Sequence, residues 1–548
     1  MAFPPRLLIV TDDVSGGGTA QVAYQLAFTL RTVFKVHFAC QRNNTTTSVL
    51  DEFEREGIVV HSYDVTEATA WQRPWQSVYS VYQAADLIDA SCPDVILTVD
   101  AAELISFSAL KSASKRSGIP FVAVINVLLD DKKSRFGDLF DVRIAILAGA
   151  EALVFACAAH LRRFEAMLPN FPVPRSVILN SRPDAFFEPR NLDARKRLRN
   201  ELDVNDDDTL VCLTTARIEP HKGHIRILKA LALLNERGRG AGIRLIFAGT
   251  GQSAHVYELK NDIVRHGLES HVSVLGSRTD IIDLLDASDV FILPSKSEAT
   301  SLAIIEALAK GIPVVATGVD GILELIDETT GILLPVDEDA SVCALAHAID
   351  RLKSDPSFRS RLGDAGRKKA DQFRVQPTVA RYKDLLINIL RRRPRTDSRR
   401  SFASSLLPVG SAIDFANPEQ VWNFLQSGWS ISELDGIWTS GAVSTLVLKT
   451  NARKGQTLRL VIELAPHLGP AWPSQETDVF VDDRLVVSWR LTLPGRQALS
   501  LVLKVTDKTG TLDIRLVHHR AVSPLTLGLT EDPRNLALFF HRIEILPA

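Results

Sequence analysis

The chain has 548 residues, of which 46% are hydrophobic and 23% are charged, a composition typical of a soluble globular protein with about three domains. Its net charge of −2 excludes a general electrostatic attraction to nucleic acid or to an anionic membrane surface. The five cysteines form no CxxC pair, so we expect neither a disulfide framework nor a zinc site, and a cytoplasmic location fits.

From Arg6 to about Leu334 the chain alternates between short apolar runs rich in β-formers and longer segments with helical spacing. The first run is too short for the hydrophobic region of a signal peptide, and no run is long enough to span a membrane. Because the runs are apolar throughout, helices are expected on both faces of parallel sheets. The runs are Arg6–Thr11, Lys35–Cys40, Asp94–Val99, Phe121–Val127, Ala152–Ala156, Leu210–Thr215, Leu245–Ala248, Val272–Leu275, Val290–Leu293 and Val314–Thr317.

These runs are too many for one domain of ordinary size, so we predict an α/β protein with two Rossmann-like domains that face a cleft. Residues 1–185 form the first domain and residues 186–395 the second, with the boundary near Asn180–Arg190. Three helical stretches are expected to close the second domain: Ala340–Lys353, Pro356–Gln372 and Thr378–Arg391.

The pattern changes after a basic, proline-broken segment that begins at Arg391. Residues 396–415 are predicted to be a linker, and such a basic linker is usually only solvated. Contact with anionic lipid headgroups is the less favoured alternative, and it would place the protein peripherally at the inner face of a membrane. Residues 416–548 show short strand-like runs and frequent turns without helices, which predicts a C-terminal all-β sandwich.

The segment Phe291–Val315 carries the strongest chemical signal. A buried strand ends at Pro294, a polar loop follows, and a helix is expected to start at Thr300–Ser301, where free backbone amides form an anion site. Glu298 precedes this helix and Glu306 lies in its second turn, so amides could meet phosphates and carboxylates could meet hydroxyl groups. On spacing alone, an ordinary strand–helix unit with surface glutamates explains the pattern equally well.

This segment resembles the donor-site motif of retaining GT-B glycosyltransferases of the family-4 type (glycosyl transferases group 1), in which seven residues separate two glutamates. Glu298 and Glu306 have that spacing, and the flanking Pro294-Ser295 and Gly311-Ile312-Pro313-Val314-Val315 also match. The resemblance implies that Glu298 contacts the donor sugar and that Glu306 binds the ribose. It further implies that the sugar and diphosphate meet the amides of Thr300, Ser301 and Leu302.

One departure from the family pattern affects the donor site. The family usually has Gly-Phe-Gly or a similar triplet after the first glutamate, whereas this chain has Ala299-Thr300-Ser301. The residues stay small but add side chains, so the choice of donor can differ.

A basic loop follows the run that ends at Thr215. Arg217 and Lys222 are five positions apart, so both side chains can point at one anion. Without the Glu298 segment, two solvated loop cations would be the better explanation. The pair resembles the arginine and lysine that neutralise the leaving diphosphate in the same family, and by that resemblance it replaces a divalent metal ion.

Glycine loops and one asparagine complete the candidate site. Gly16 and Gly17 follow the first strand, where glycine lets the backbone approach a ligand. They resemble the family's glycine loop across the cleft from the donor, and Gly249 and Gly251 resemble a turn that lines the cleft. Asn126 stands where many members carry a histidine near the reacting sugar. It cannot act as a base, but it can hydrogen-bond a sugar hydroxyl.

The C-terminal domain holds five of the seven tryptophans: Trp422, Trp429, Trp438, Trp472 and Trp489. Exposed aromatic side chains can form stacking platforms for sugars, whereas core packing is the favoured reading for any one of them. The segment 422–441 looks like an accessory domain of bacterial polysaccharide enzymes, so a carbohydrate-binding role is kept as a hypothesis.

The resemblance covers roughly Arg6 to Arg391 and implies a retaining, metal-independent glycosyltransferase. The first domain would bind a glycan or lipid-linked glycan acceptor and the second a nucleoside diphosphate sugar, which acts as co-substrate without a further cofactor. The expected context is bacterial surface polysaccharide or glycoconjugate synthesis. No nucleic-acid partner is expected, and the oligomeric state is open.

Two other functions stay open. The same fold supports sugar-nucleotide epimerases and phosphorylases, although no lysine motif for pyridoxal phosphate is evident. A non-catalytic carbohydrate-binding protein would require a decayed donor site, and the presence of Glu298, Glu306, Arg217 and Lys222 counts against that.

Overall fold

In a computed structural model, the chain forms two parallel sheets with flanking helices, followed by two mainly antiparallel sheets. The structure describes residues 4–13, 17–41, 43, 46–63, 74–100, 107–126, 128, 144–204, 206, 208–392, 406–416, 421, 424–425, 429–433, 435–440, 442–470, 472–506, 508–522 and 536–548.

The first sheet has seven parallel strands in the order β3-β2-β1-β4-β5-β6-β7. The five predicted runs are all strands. The two that were not predicted, β3 and β7, lie at the edges, where partial exposure leaves no continuous apolar run to detect. The strands are β1 (Arg6–Thr11), β2 (Lys35–Cys40), β3 (Val59–Ser62), β4 (Val95–Asp100), β5 (Phe121–Ile125), β6 (Ala152–Phe155) and β7 (Arg175–Val177).

Helices cover both faces of this sheet because its strands are apolar on both sides. Leu7 and Ile9 of β1 pack into one core with the first helix, whereas Leu8 and Val10 belong to a second core on the opposite face. The helices of this domain are α1 (Gly18–Leu30), α2 (Thr47–Arg55), α3 (Pro74–Ser91), α4 (Ser108–Arg116) and α5 (Ala158–Met167).

The second sheet has six parallel strands in the order β10-β9-β8-β11-β12-β13. The strand order reverses between β8 and β11, and ligands of open α/β sheets bind beyond the carboxyl ends of the strands at such a point. The strands are β8 (Leu210–Thr215), β9 (Ile243–Ala248), β10 (Val272–Gly276), β11 (Val290–Leu293), β12 (Val314–Thr317) and β13 (Gly331–Leu334).

Nine helices are described between residues 192 and 392, and the last of them crosses back to the first domain. Tyr382, Leu386 and Ile389 of this helix are buried in the core formed by α1 and the first sheet. The helices are α6 (Leu192–Glu201), α7 (His224–Glu236), α8 (Ser253–Arg265), α9 (Ile281–Ala287), α10 (Leu302–Ala309), α11 (Ile322–Leu325), α12 (Glu338–Ser354), α13 (Pro356–Ala370) and α14 (Val375–Arg392).

The predicted all-β sandwich is present. One sheet has the order β14-β18-β23-β20-β21 and the other β16-β17-β24-β19-β22, with β15 paired to β24. Along β19 every second residue is buried, the pattern of a sheet with one face in the core. The strands are β14 (Leu406–Leu407), β15 (Ala412–Asp414), β16 (Trp429–Glu433), β17 (Gly436–Ser440), β18 (Val443–Thr450), β19 (Thr457–Pro466), β20 (Gln475–Val481), β21 (Arg484–Leu491), β22 (Gln497–Lys504), β23 (Thr511–His518) and β24 (Leu536–Pro547).

The segment 396–415, predicted to be a linker, needs a correction in its second half. Leu406 and Leu407 pair with β18, Ile413 pairs with β24, and Phe415 is buried in the sandwich core. Strands of two or three residues are too short to show an alternating pattern, so the sequence pattern could not reveal them.

Candidate functional site

Two loops meet at the carboxyl edge of the second sheet. Leu213 of β8 pairs with Phe291 of β11, so the chain segments that follow these strands emerge side by side. Across this junction the Lys222 ammonium donates a hydrogen bond to Glu298 Oε1 at 2.6 Å. The structure therefore brings together two of the residues that the sequence analysis selected from separate motifs.

Glu298 is held from several directions. Ser295 Oγ donates to the same carboxylate oxygen at 2.8 Å, and the backbone amide of Gly321 donates to the Glu298 carbonyl at 3.1 Å. Gly223 has a positive φ, and a Cβ on it would lie 2.2 Å from the Pro294 carbonyl oxygen. Only glycine therefore lets the Lys222 loop approach the end of β11 this closely.

Glu306 is almost fully buried in α10 and forms an ion pair with Arg182. The distance from Arg182 Nε to Glu306 Oε1 is 2.9 Å, and each side chain is about 10% exposed. Burial raises the pKa of Glu306, and the Arg182 charge opposes this rise. Neither Arg182 nor Ser295 received a role in the sequence analysis. Ser295 lies within the quoted motif, whereas no local signal marks Arg182.

The predicted helix start lies where the two domains touch. Ser301 is the N-cap of α10, and Thr300 is buried beside it. The Thr300 hydroxyl donates to the Ala156 carbonyl of the first domain, and Asn180 Nδ2 donates to the Thr300 carbonyl at 3.3 Å. The first amides of a helix have no partner within it, so those near Leu302 can serve an anion.

Arg217 is placed differently from Lys222. Its side chain is 54% exposed and pairs with Glu219 at 2.7 Å from Nη1 to Oε1. His221 Nδ1 contacts the other oxygen of Glu219 at 3.2 Å, and the pKa of His221 is lowered by burial and by the neighbouring Lys222. The structure thus puts Arg217 on the same loop as Lys222 but not in contact with Glu298.

Gly249 and Gly251 pack against that basic loop. A Cβ on Gly249 would lie 2.0 Å from the Ala216 carbonyl oxygen, and one on Gly251 would lie 2.1 Å from that of Ile218. Their nearest described neighbours are therefore backbone atoms that flank Arg217. Gly17 precedes α1 as its N-cap, and Gly16 lies outside the described residues.

Asn126 lies on the first-domain side of the cleft. It directly follows Ile125, which pairs with Phe155, so Asn126 and Ala156 share one strand end. Asn126 is buried, and within the described part of the chain neither its Oδ1 nor its Nδ2 has a hydrogen-bond partner. Unpaired buried amides are costly, so this side chain is suited to a polar ligand.

Further contacts join the two domains beside the loop that carries Glu298. Glu324 Oε1 accepts the backbone amide of Ala158 at the start of α5 at 2.7 Å. The Asp320 carboxylate accepts from Arg163 Nη2 and from Ser297 Oγ, each at 2.9 Å. These residues lie in segments that the resemblance covers. Their contacts join distant parts of the chain, so the spacing of residues along the sequence could not predict them.

Outside this site, three observations bear on the sequence predictions. Among the described residues, no group of three or more His, Cys, Asp or Glu side chains is placed to hold a metal ion, and no described helix is both long and apolar enough to cross a membrane. A surface cavity of about 790 Å³ lies at the amino-terminal ends of β1 and β2, beside Arg6 and Lys35, and none of the predicted site residues line it.

The tryptophans of the sandwich divide between core and surface. Trp429 is fully buried and Trp489 nearly so, whereas Trp438 and Trp472 are partly exposed. Trp422 lies outside the described residues.

A family model matches most of the second domain. Residues 194–369 match the family model of the glycosyl transferases group 1. The putative glycosyltransferase EpsD of Bacillus subtilis is 30% identical over 200 residues, which are 36% of this chain and 50% of that protein. A D-inositol 3-phosphate glycosyltransferase of Corynebacterium glutamicum is 28% identical over 222 residues, 39% of this chain and 52% of that protein. The chain thus spans about half the length of these relatives.

Solved structures share the fold of both α/β domains. Anabaena Alr3699/HepE, in a structure with UDP and glucose, superimposes with a TM-score of 0.59 at 20% identity over 70% of this chain and all of that one. WaaG, a glycosyltransferase involved in lipopolysaccharide biosynthesis, gives a TM-score of 0.54 at 15% identity over 69% of this chain and 99% of that one. The predicted GT-B fold is confirmed.

Proposed function

We propose that the protein transfers a sugar from a nucleoside diphosphate sugar to a hydroxyl acceptor, because residues 194–369 match the family model of the glycosyl transferases group 1. The contact of Lys222 with Glu298 at the carboxyl edge of the second sheet supports this most directly. A cation such as Lys222 suits a diphosphate and a carboxylate such as Glu298 suits sugar hydroxyls, and both precede helices whose first amides can serve an anion.

The roles of the site residues follow from their chemistry. Lys222 stabilises the charge that develops on the leaving diphosphate, and Arg217 adds a second cation from the same loop. Glu298 accepts hydrogen bonds from hydroxyls of the donor sugar. Glu306 accepts those of the ribose, deeper along α10. These positive charges take the place of a divalent metal ion.

The acceptor side is proposed to lie on the first domain. Asn126 offers a buried, unpaired amide at the strand end that touches the donor loop, so it can hydrogen-bond a hydroxyl near the reacting sugar. Gly16 and Gly17 would let the backbone approach the donor from the same side. The acceptor is a glycan or lipid-linked glycan in surface polysaccharide or glycoconjugate synthesis.

The reaction proceeds with retention at the anomeric carbon. Asn126 cannot act as a base. The side chains that contact Glu298 are Lys222 and Ser295, and we assign neither of them as a nucleophile toward the anomeric carbon. We therefore infer an internal-return mechanism, in which the departing diphosphate takes the proton of the acceptor hydroxyl on the face that it leaves.

A thermal-shift panel of nucleoside diphosphates and their sugars tests the donor. A ligand at about a hundred times its dissociation constant adds about 2.7 kcal/mol to the free energy of unfolding. Anomeric NMR of the product then tests retention, and an inverted product would contradict internal return. Incubation with donor alone tests the first alternative, since an epimer formed without acceptor identifies an epimerase. A separate binding assay tests the second, since glycan binding without turnover of donor identifies a carbohydrate-binding protein.

A further inference from the structure

Arg182 lies where the chain crosses from the first domain to the second. Its backbone amide donates to the Phe373 carbonyl at 2.9 Å, and Arg182 forms a parallel β-bridge with Arg374, just before α14 leads the chain back to the first domain. From this domain junction the Arg182 side chain reaches Glu306, with Nε 2.9 Å from Oε1. A carboxylate of the candidate site is therefore paired with a residue of the domain junction.

We propose that Arg182 is a positioning residue for nucleotide binding, which keeps the Glu306 carboxylate ionised and in place to accept hydrogen bonds from ribose hydroxyls. This inference rests on the proposed function, in which Glu306 binds the ribose.

The electrostatics of Glu306 require such a partner. Burial disfavours the charged carboxylate and raises its pKa, and Arg182 is the one charged group among the described residues that counteracts this effect substantially. An ionised carboxylate can accept from two hydroxyls, whereas a protonated one turns one of its oxygens into a donor. Loss of the Arg182 charge would therefore weaken ribose binding, and more so at lower pH.

The geometry leaves Glu306 free to bind a ligand. Arg182 Nε is close to Glu306 Oε1, but its N–H is not aligned for a hydrogen bond, so the contact acts mainly through charge. The guanidinium also lies 4.4 Å from the centre of the Phe186 ring, a cation–π contact that helps to hold it in place.

Arg374 provides a matched control. It shares the backbone bridge with Arg182, and its guanidinium lies 4.3 Å from the centre of the Phe187 ring. Arg374, however, forms ion pairs with Asp184 at 2.9 Å and with Asp371 at 3.0 Å, on the exposed surface of the domain junction. A variant of Arg374 therefore perturbs the same region without touching the donor site.

The test is calorimetric titration of the full chain with UDP, GDP and ADP, for the wild type, Arg182→Met, Arg182→Lys, Arg374→Met, Glu306→Gln and the Arg182→Met/Glu306→Gln double variant. For the best-binding nucleotide, Arg182→Met is expected to weaken binding roughly tenfold or more, and Arg374→Met less than about twofold. The double variant should bind no more weakly than Glu306→Gln alone, since both changes remove one function.

The pH dependence adds a readout that a purely structural role would not move. From slightly alkaline to slightly acidic pH, the affinity of Arg182→Met should fall more steeply than that of the wild type, and Arg182→Lys should keep the wild-type profile because it keeps the charge. Should Arg182→Met fail to fold, the Lys variant decides: a folded Arg182→Lys that binds as weakly as Glu306→Gln contradicts the proposal.

Two further results separate this inference from the proposed function. Equal nucleotide affinity in Arg182→Met and Arg374→Met overturns the role of Arg182 and leaves the donor site standing. A wild-type chain that binds none of the nucleoside diphosphates in the thermal-shift panel removes the proposed function, and the role of Arg182 with it.

Discussion

The Lys222 ammonium and the Glu298 carboxylate lie 2.6 Å apart, although they belong to different strand–helix connections. The second glutamate of the candidate site, Glu306, forms an ion pair with Arg182, without the aligned hydrogen bond that joins Lys222 to Glu298. Each acidic residue of the candidate site thus has its own cation. Under the proposed function, a diphosphate that approaches Lys222 would compete with Glu298 for the ammonium and would leave the carboxylate free for sugar hydroxyls.

Lys222→Met is expected to slow sugar transfer by a factor of roughly a hundred or more, because a donor aimed at developing charge contributes about 3 kcal/mol to the transition state. The effect should fall on kcat more than on KM, since charge on the diphosphate grows during the reaction. Lys229→Met is the control: Lys229 pairs with Glu338 on the surface of α7. Steady-state kinetics with the nucleotide sugar found by thermal shift measures both, and equal rates would remove Lys222 from the site.

Arg217→Ala is expected to slow turnover less than Lys222→Met does. Its guanidinium is half exposed and already pairs with Glu219, so solvent screens its contribution. The same kinetic assay compares the two variants. A loss for Arg217→Ala as large as that for Lys222→Met would show that the loop rearranges to bring Arg217 onto the diphosphate.

Activity is expected to survive EDTA, because in the proposed mechanism Lys222 and Arg217 supply the positive charge that a divalent cation supplies elsewhere. Transfer rates with and without chelator, with manganese or magnesium added back, provide the measurement. Loss of activity on chelation that either ion restores would contradict the role given to the two cations.

A chain ended after residue 395 is expected to keep a folded pair of α/β domains that binds nucleotide. The predicted donor-site residues all precede this point, and the first described strand of the sandwich begins at Leu406. A chain ended after Arg374 should instead aggregate, since it lacks Tyr382 and Leu386, which fill the first-domain core. Circular dichroism and nucleotide titration compare the two truncations.

The same truncation tests the sandwich. If Trp438 or Trp472 helps to hold glycan, loss of the sandwich should reduce transfer to a polymeric acceptor while transfer to a short soluble acceptor is retained. Equal loss on both acceptors would indicate a structural role. Unchanged rates on both would mean that the sandwich acts outside the reaction, for example by docking to another protein.

His518 should make the sandwich sensitive to acid. It lies between Ser444 and Thr477, whose hydroxyls are 3.2 Å and 3.0 Å from its ring nitrogens, and burial, with a smaller effect of His519, lowers its pKa to about 4. A depressed histidine stabilises the fold above its unfolded pKa, and this contribution is lost as pH falls through about 4. The expected loss is roughly 3 kcal/mol.

Urea unfolding of the full chain, followed by tryptophan fluorescence, measures this effect. His518→Asn should flatten the dependence of unfolding free energy on pH between about 6.5 and 4. His519→Asn serves as the control, since His519 is half exposed and pairs with Asp478. Parallel curves for the wild type and His518→Asn would show that another group titrates.

Much of the architecture was accessible from the sequence because it rests on local patterns. Buried parallel strands such as β4 read as continuous apolar runs, and one-sided strands such as β19 read as alternation. The helix start at Ser301 follows from a polar loop between a strand and an apolar segment. The edge strands β3 and β7 of the first sheet and the two-residue strand at Leu406 were not predicted, since weak burial or short length leaves no period to detect.

The candidate site divides in the same way. The sequence by itself was enough to select Glu298 in the loop before α10, Glu306 within α10 and the basic loop after β8. It also supplied the family resemblance that connects these motifs. Only the tertiary structure decided that Lys222, rather than Arg217, meets Glu298, and that Arg182 is the partner of Glu306. The physical reason is that spacing reports neighbours along one element, whereas these pairs are set by which strand ends lie side by side and by where the chain crosses between domains.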